Sequence, residues 1–151
     1  MRALLRRRQE ATLRASLSTF ARYWTRVRFV PGNTPDAPLA SALRSELDAV
    51  ERSLRNGRPV VLGLVGDGPD PFANHQVVAF GIDRRGPLAA TLDVYDPNAP
   101  GQTRHIWTAA SSRPGRTSIS TDLPTGRNAH GRCHISTRPG HLSHVFVVPV
   151  P

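Results

Sequence analysis

The apolar residues of this chain repeat with two different periods. Leu13, Leu17, Phe20 and Trp24 recur at spacings of three and four, with Arg14, Ser18 and Arg22 between them. That spacing places the apolar set on one face of a helix predicted over Ala3 to about Arg26. Pro31-Gly32-Asn33-Thr34-Pro35 then breaks the chain. A second helix is predicted from about Pro38 to Asn56, with Asp36 as N-cap and Pro38 in its first turn. Leu39, Leu43, Leu47, Val50 and Leu54 form its apolar stripe, and Gly57 sits where a left-handed C-cap residue is wanted.

After Gly57 the period changes. Val60 to Val65 is a short, nearly continuous apolar run and reads as a buried strand. Gly66 to Ala73, with Asp67, Gly68, Pro69, Asp70 and Pro71, reads as a loop. Two β-like runs follow, His75 to Asp83 and Ala90 to Asp96, with a turn signal at Arg84-Arg85-Gly86-Pro87. Beyond Pro97 two apolar patches remain, one around Ile106 and Trp107 and one from His144 to Val150. Ser111 to Gly140 is rich in Ser, Thr, Pro, Gly and Arg, a composition expected to stay loop or disorder because little of it can be buried. No internal repeat is present.

The expected architecture is therefore α+β: two amphipathic helices packed on a small antiparallel sheet. Its strands are Val60–Val65, His75–Asp83, Ala90–Asp96 and a further one near Val145–Val150. Residues 1–107 form the packed part. Residues 108–151 form a loop-rich, poorly ordered tail with a final strand at 144–150.

Composition narrows the partners. The formal net charge is +9 over 151 residues, which raises nucleic acid or an anionic membrane as a partner. However, all the basic side chains besides histidine are arginine, and they are scattered apart from Arg6, Arg7 and Arg8. That pattern argues for coding bias over a binding patch, so nucleic acid is not the expected partner. No apolar run is long enough to span a bilayer, and no apolar signal core follows the basic start. The chain holds one cysteine, Cys133, so it can form no internal disulfide. A cytoplasmic location is expected, with no cofactor.

Two groupings carry chemistry. If the β-like runs pair as a hairpin centred on Arg85 and Gly86, Val77 faces Val94, Ala79 faces Leu92 and His75 faces Asp96. An imidazole and a carboxylate opposed in this way can hydrogen-bond, although a slip of one residue would send them to opposite faces. The carboxylate would fix the imidazole tautomer, leaving the ring to act as a general base or to steady a thiolate. The plainer reading is a hairpin end at which Asp96 caps the turn begun by Pro97. The second grouping is His130, Cys133, His134, His141 and His144, in which His130-x-x-Cys133 and His141-x-x-His144 have ligand-like spacing. A zinc ion could fold the tail there; solvated histidines are the plainer reading.

The segments Asn74-His75-Gln76-Val77-Val78-Ala79-Phe80-Gly81 and Tyr95-Asp96-Pro97-Asn98-Ala99-Pro100-Gly101 resemble the His and Asp motifs of papain-like cysteine peptidases. The branch they are most similar to is that of the bacteriocin leader-processing peptidases. Asn56-Gly57-Arg58-Pro59 leading into Val60–Val65 fits the same pattern, and the resemblance covers about Leu39 to Trp107. It implies a papain-like half-fold, with His75 as the catalytic imidazole, Asp96 as its orienting carboxylate and Asn98 as a supporting group. Gln76 is expected on the opposite face. The implied activity is thiol hydrolysis of a peptide or amide bond in a peptide or protein substrate.

The departure from the family is the nucleophile. Its cysteine belongs at a helix start ahead of the His strand, where the helix N-terminus lowers the thiol pKa and offers oxyanion-binding amides. No residue from Met1 to Asn74 is cysteine, and Cys133 lies on the wrong side of His75. The expectation is a truncated or degenerate cysteine-peptidase-like domain without independent activity, whose cysteine-bearing segment would fall upstream of Met1. Two alternatives stand beside it. One is a hydrolase using Cys133 or a nucleophile from another chain. The other is a non-catalytic module binding an anionic partner through its arginines, or zinc through the His/Cys tail.

Overall fold

The computed structural model describes residues 21, 25, 37–66, 75–97, 99–112, 117–123 and 141–148. Among them helix α1 (Ala37–Arg55) is followed by seven strands. These are β1 (Val60–Val65), β2 (His75–Arg84), β3 (Ala90–Tyr95), β4 (Thr103–Ala110), β5 (Thr117–Thr121), β6 (His141–Leu142) and β7 (His144–Val147). The fold is α+β but mostly sheet. The first predicted helix lies outside the described residues apart from Ala21 and Thr25, which are both helical. Of the two expected helices, the described residues thus contain the second in full.

Helix α1 follows its apolar stripe: Leu39, Leu43, Leu47 and Val50 are all buried. It ends as Gly57 permits. At φ +68°, Gly57 donates its N–H to the Leu54 carbonyl at 2.9 Å, and Arg58 donates to the Ser53 carbonyl at 3.1 Å. These two bonds are the Schellman arrangement that satisfies the last helical carbonyls.

The strands form a single sheet in the order β6-β5-β4-β3-β2-β1-β7, and every adjoining pair is antiparallel. Strands β6 and β7 lie at opposite ends of that order, yet only Ser143 separates them in the chain. One residue can bridge the two edges only if the sheet curls round until they nearly meet. Ser143 sits at the seam and donates its N–H to the Val65 carbonyl at 2.8 Å.

The concave side holds the main core. Leu62 and Leu64 of β1, Val77 and Ala79 of β2, Leu92 and Val94 of β3, Ile106 of β4, Ile119 of β5 and Leu142 of β6 meet Leu43, Leu47 and Val50 of α1 there. A smaller cluster, Leu39, Val65, Phe146 and Val148, packs separately. Helix α1 runs against β7, β1 and β2. Its Glu46 Oε2 accepts the Val147 N–H at 2.8 Å, giving a partner to a donor of the β7 strand, much as native sheets cover their edges.

The region from Ser111 to Gly140, expected as loop or disorder, contains β5, and the boundary drawn after Trp107 falls inside β4. Composition hid β5. Thr117-Ser118-Ile119-Ser120-Thr121 has one large apolar residue, but Ile119 and Thr121 are buried and the strand pairs along its whole length with β4. β-Branched threonines suit a strand that is buried on one face.

Candidate functional site

His75 opens β2, a strand hydrogen-bonded on both sides, to β1 through Leu64 and to β3. Asp96 follows the last residue of β3. The observed ladder pairs Ala79 with Val94 and Val78 with Tyr95, a slip of two from the expected pairing of Ala79 with Leu92. His75 and Asp96 are thus not directly opposed. Continued toward the strand end, the ladder sets Val77 across from Asp96, with His75 diagonal to it. At this end of the hairpin the slip is even and keeps side chains on their expected face, so the imidazole and carboxylate still share the concave side. His75 Nε2 lies 2.6 Å from Asp96 Oδ1.

The register differs because of two local features invisible to a simple hairpin count. The ladder is irregular between Ala79 and Gly81, a β-bulge that adds one residue to β2 at Phe80. The loop also extends beyond Arg84–Pro87. Arg85 and Gly86 both donate their N–H groups to the Ala89 carbonyl, at 2.9 and 3.1 Å. Arg84 braces that loop through Nε to the Gly86 carbonyl at 2.7 Å and Nη2 to the Pro87 carbonyl at 2.8 Å, and reaches Asp48 of α1 at 2.9 Å.

Burial shapes the chemistry of the pair. The side chain of Asp96 is 2% exposed and that of His75 is 13% exposed. An ionised carboxylate only accepts, so Nε2 of His75 carries the shared hydrogen. Nδ1 is then the unprotonated nitrogen of the neutral ring. Gln76 lies on the opposite face, paired with Gly63 of β1. Asn98 lies outside the described residues, as do His130, Cys133 and His134. After Asp96 the chain turns back, with Ala99 donating its N–H to the Asp96 carbonyl at 3.0 Å and Gly101 at φ +80°.

The remaining members of the histidine cluster are dissimilar. His141 is exposed on β6, whereas His144 is fully buried on β7 beside Val65. Among the described residues no three His, Cys, Asp or Glu side chains are grouped to hold a metal ion.

Sequence reading overlooked two other features. His105, on β4 opposite Asp93, has its Nδ1 3.0 Å from Asp122 Oδ2, its Nε2 3.6 Å from Asp93 Oδ1 and its ring stacked 5.6 Å from that of Trp107. The alternation in Arg104-His105-Ile106-Trp107 was the available signal. This group faces outward, on the convex side that also carries exposed Tyr95. The second feature is Arg104, whose alternation puts it on the same face as Ile106 and Asp96.

Among the described residues no helix is long and apolar enough to cross a membrane. No family model, curated protein or solved structure matches the chain.

Proposed function

We propose that this chain is a degenerate cysteine-peptidase-like domain. It would retain the imidazole–carboxylate half of a thiol hydrolase site and catalyse no hydrolysis by itself. The observation that carries the reading is the 2.6 Å contact between His75 Nε2 and Asp96 Oδ1, with the carboxylate almost wholly buried. A buried acid bonded to one ring nitrogen fixes the tautomer and orients the other nitrogen. The motif resemblance around His75 and Asp96 supplies the reaction class: attack of a thiolate on a peptide or amide carbonyl, with the imidazole taking the thiol proton and returning it to the leaving amine.

The missing part is the sulfur. None of residues 1–74 is cysteine, and an oriented imidazole with no thiol has nothing potent to activate. In this reading the partners are a peptide or protein substrate and a cysteine-bearing segment supplied from outside these residues. The single cysteine, which allows no internal disulfide, supports a cytoplasmic setting.

The test is a thiol-directed activity probe together with a peptide-cleavage assay. The chain alone should be blank in both. A cysteine-bearing helical peptide added separately should restore turnover, and His75→Ala should abolish the restored activity. Turnover by the chain alone that is lost in His75→Ala would overturn the reading, and loss in Cys133→Ser would identify Cys133 as the nucleophile.

A further inference from the structure

One arginine on the dyad's face is explained neither by packing nor by the hydrolytic reading. Arg104 pairs with Val94 in the β3–β4 ladder. The pairing of Tyr95 with Thr103, continued by one residue, sets Asp96 across from Gln102. Arg104 is then the diagonal neighbour of Asp96 on the same face, about 7 Å away. Its nearest companions along the ladder, Val94 and Ile106, are apolar and fully buried. The Nε of Arg104 is itself buried and has no hydrogen-bond partner among the described residues.

A guanidinium cannot shed its proton to escape this situation. A buried N–H lacking an acceptor is costly, the more so on a charged group. Oδ1 of Asp96, the acid beside it, is already engaged by His75. The arrangement is that of a donor prepared for an acceptor brought by a ligand.

We infer that Arg104 is a specificity-determining residue that receives a carboxylate of the peptide bound at the dyad, and this inference rests on the reading of His75–Asp96 as a peptide site. Nε and the adjoining Nη of a guanidinium offer two parallel N–H groups, which match the edge of a planar carboxylate. Asp96 next door disfavours more highly charged anions, because like charges repel across a short, poorly screened gap. A carboxylate with one negative charge is therefore preferred over a phosphate with two. It can come from an acidic side chain or from a peptide C-terminus.

The experiment uses the whole chain labelled with ¹⁵N at arginine and histidine, observed by NMR during titration. The probes are N-acetyl-dialanine with a free C-terminal carboxylate, the same peptide as its amide, the N-acetyl-alanyl-glutamate diamide, and inorganic phosphate. A carboxylate peptide should shift both the Arg104 Nε–H and the His75 ring signals, and should bind about tenfold more tightly than the neutral amide. The two carboxylate peptides distinguish a C-terminal from a side-chain source. Arg104→Gln should erase the preference. If that variant fails to fold, the titration of the unaltered chain decides alone.

Equal binding of acid and amide peptides, no binding at millimolar concentration, or an equal response of Arg104 to phosphate would overturn the inference. So would a shift at Arg104 with none at His75. Peptides that move His75 without preferring a carboxylate would sink the role of Arg104 and leave the dyad reading intact. That reading stands or falls separately on the thiol assay.

Discussion

Leu142 and His144 are two positions apart in sequence and belong to strands at the two opposite ends of the sheet. The curled sheet therefore has a seam, and the intervening residue, Ser143, is tied across it by its backbone N–H to the Val65 carbonyl at 2.8 Å. Interior strands are held by partners on both sides, whereas this seam depends on few bonds.

Ser143→Pro should open the seam. Proline removes the donor and leaves the Val65 carbonyl without it, at a cost of about 1–3 kcal/mol. Ser143→Ala keeps the backbone bond and should stay within about 0.5 kcal/mol of the parent. Urea midpoints measure both, and faster amide exchange confined to β6 and β7 in the proline variant would localise the effect.

Gly63 and Phe146 face each other across β1 and β7. A Cβ at position 63 would fall inside contact distance of the Phe146 ring, and that ring is fully enclosed. Gly63→Ala should destabilise by about 1–3 kcal/mol through overpacking. In a double-mutant cycle with Phe146→Leu, the two changes together should cost less than their sum. Strict additivity would show that the ring is not the obstacle.

Thr108 is a buried hydroxyl that joins two strands. Its Oγ1 donates to the Leu88 carbonyl at 2.8 Å and accepts the Ala90 N–H at 3.1 Å. Thr108→Val retains the shape but strands both backbone groups, so about 1–3 kcal/mol of stability should be lost. The Ala90 amide should exchange faster with solvent in the variant than in the parent.

Asp96→Asn keeps the volume beside His75 and removes the charge. The amide can accept through Oδ1 or donate through Nδ2, so the acceptor-only partner that selects one tautomer is gone, and ring ¹⁵N shifts should move from an Nε2–H pattern toward a mixture of tautomers. Any activity restored by a cysteine-bearing segment should fall by orders of magnitude, as expected when a triad loses its orienting acid. An unchanged ring spectrum would show that Asp96 does not set the tautomer.

Much of the fold was legible from periodicity. The stripe from Leu39 to Leu54, the C-cap at Gly57 and the strands opening at Val60, His75 and Ala90 all follow from apolar spacing and turn chemistry. The candidate site was legible only in outline. His75 and Asp96 could be assigned to one face by alternation, but the bulge at Phe80 and the longer loop to Ala89 shift their pairing, and neither leaves a signal that a hydrophobic pattern contains. Arg104 was hidden among many similar arginines, since nothing in sequence marks a guanidinium nitrogen as buried.

The order of apolar and polar residues by itself determined which segments of this chain bury a face, because burial periodicity is a local property. It also fixed the absence of any thiol before His75. Tertiary structure decided the rest. Strands β5 and β6 exist because the curled sheet supplies partners from distant parts of the chain, lending short polar segments a stability that their own composition lacks. The same long-range pairing set the register that brings His75 against Asp96 and leaves Arg104 beside them.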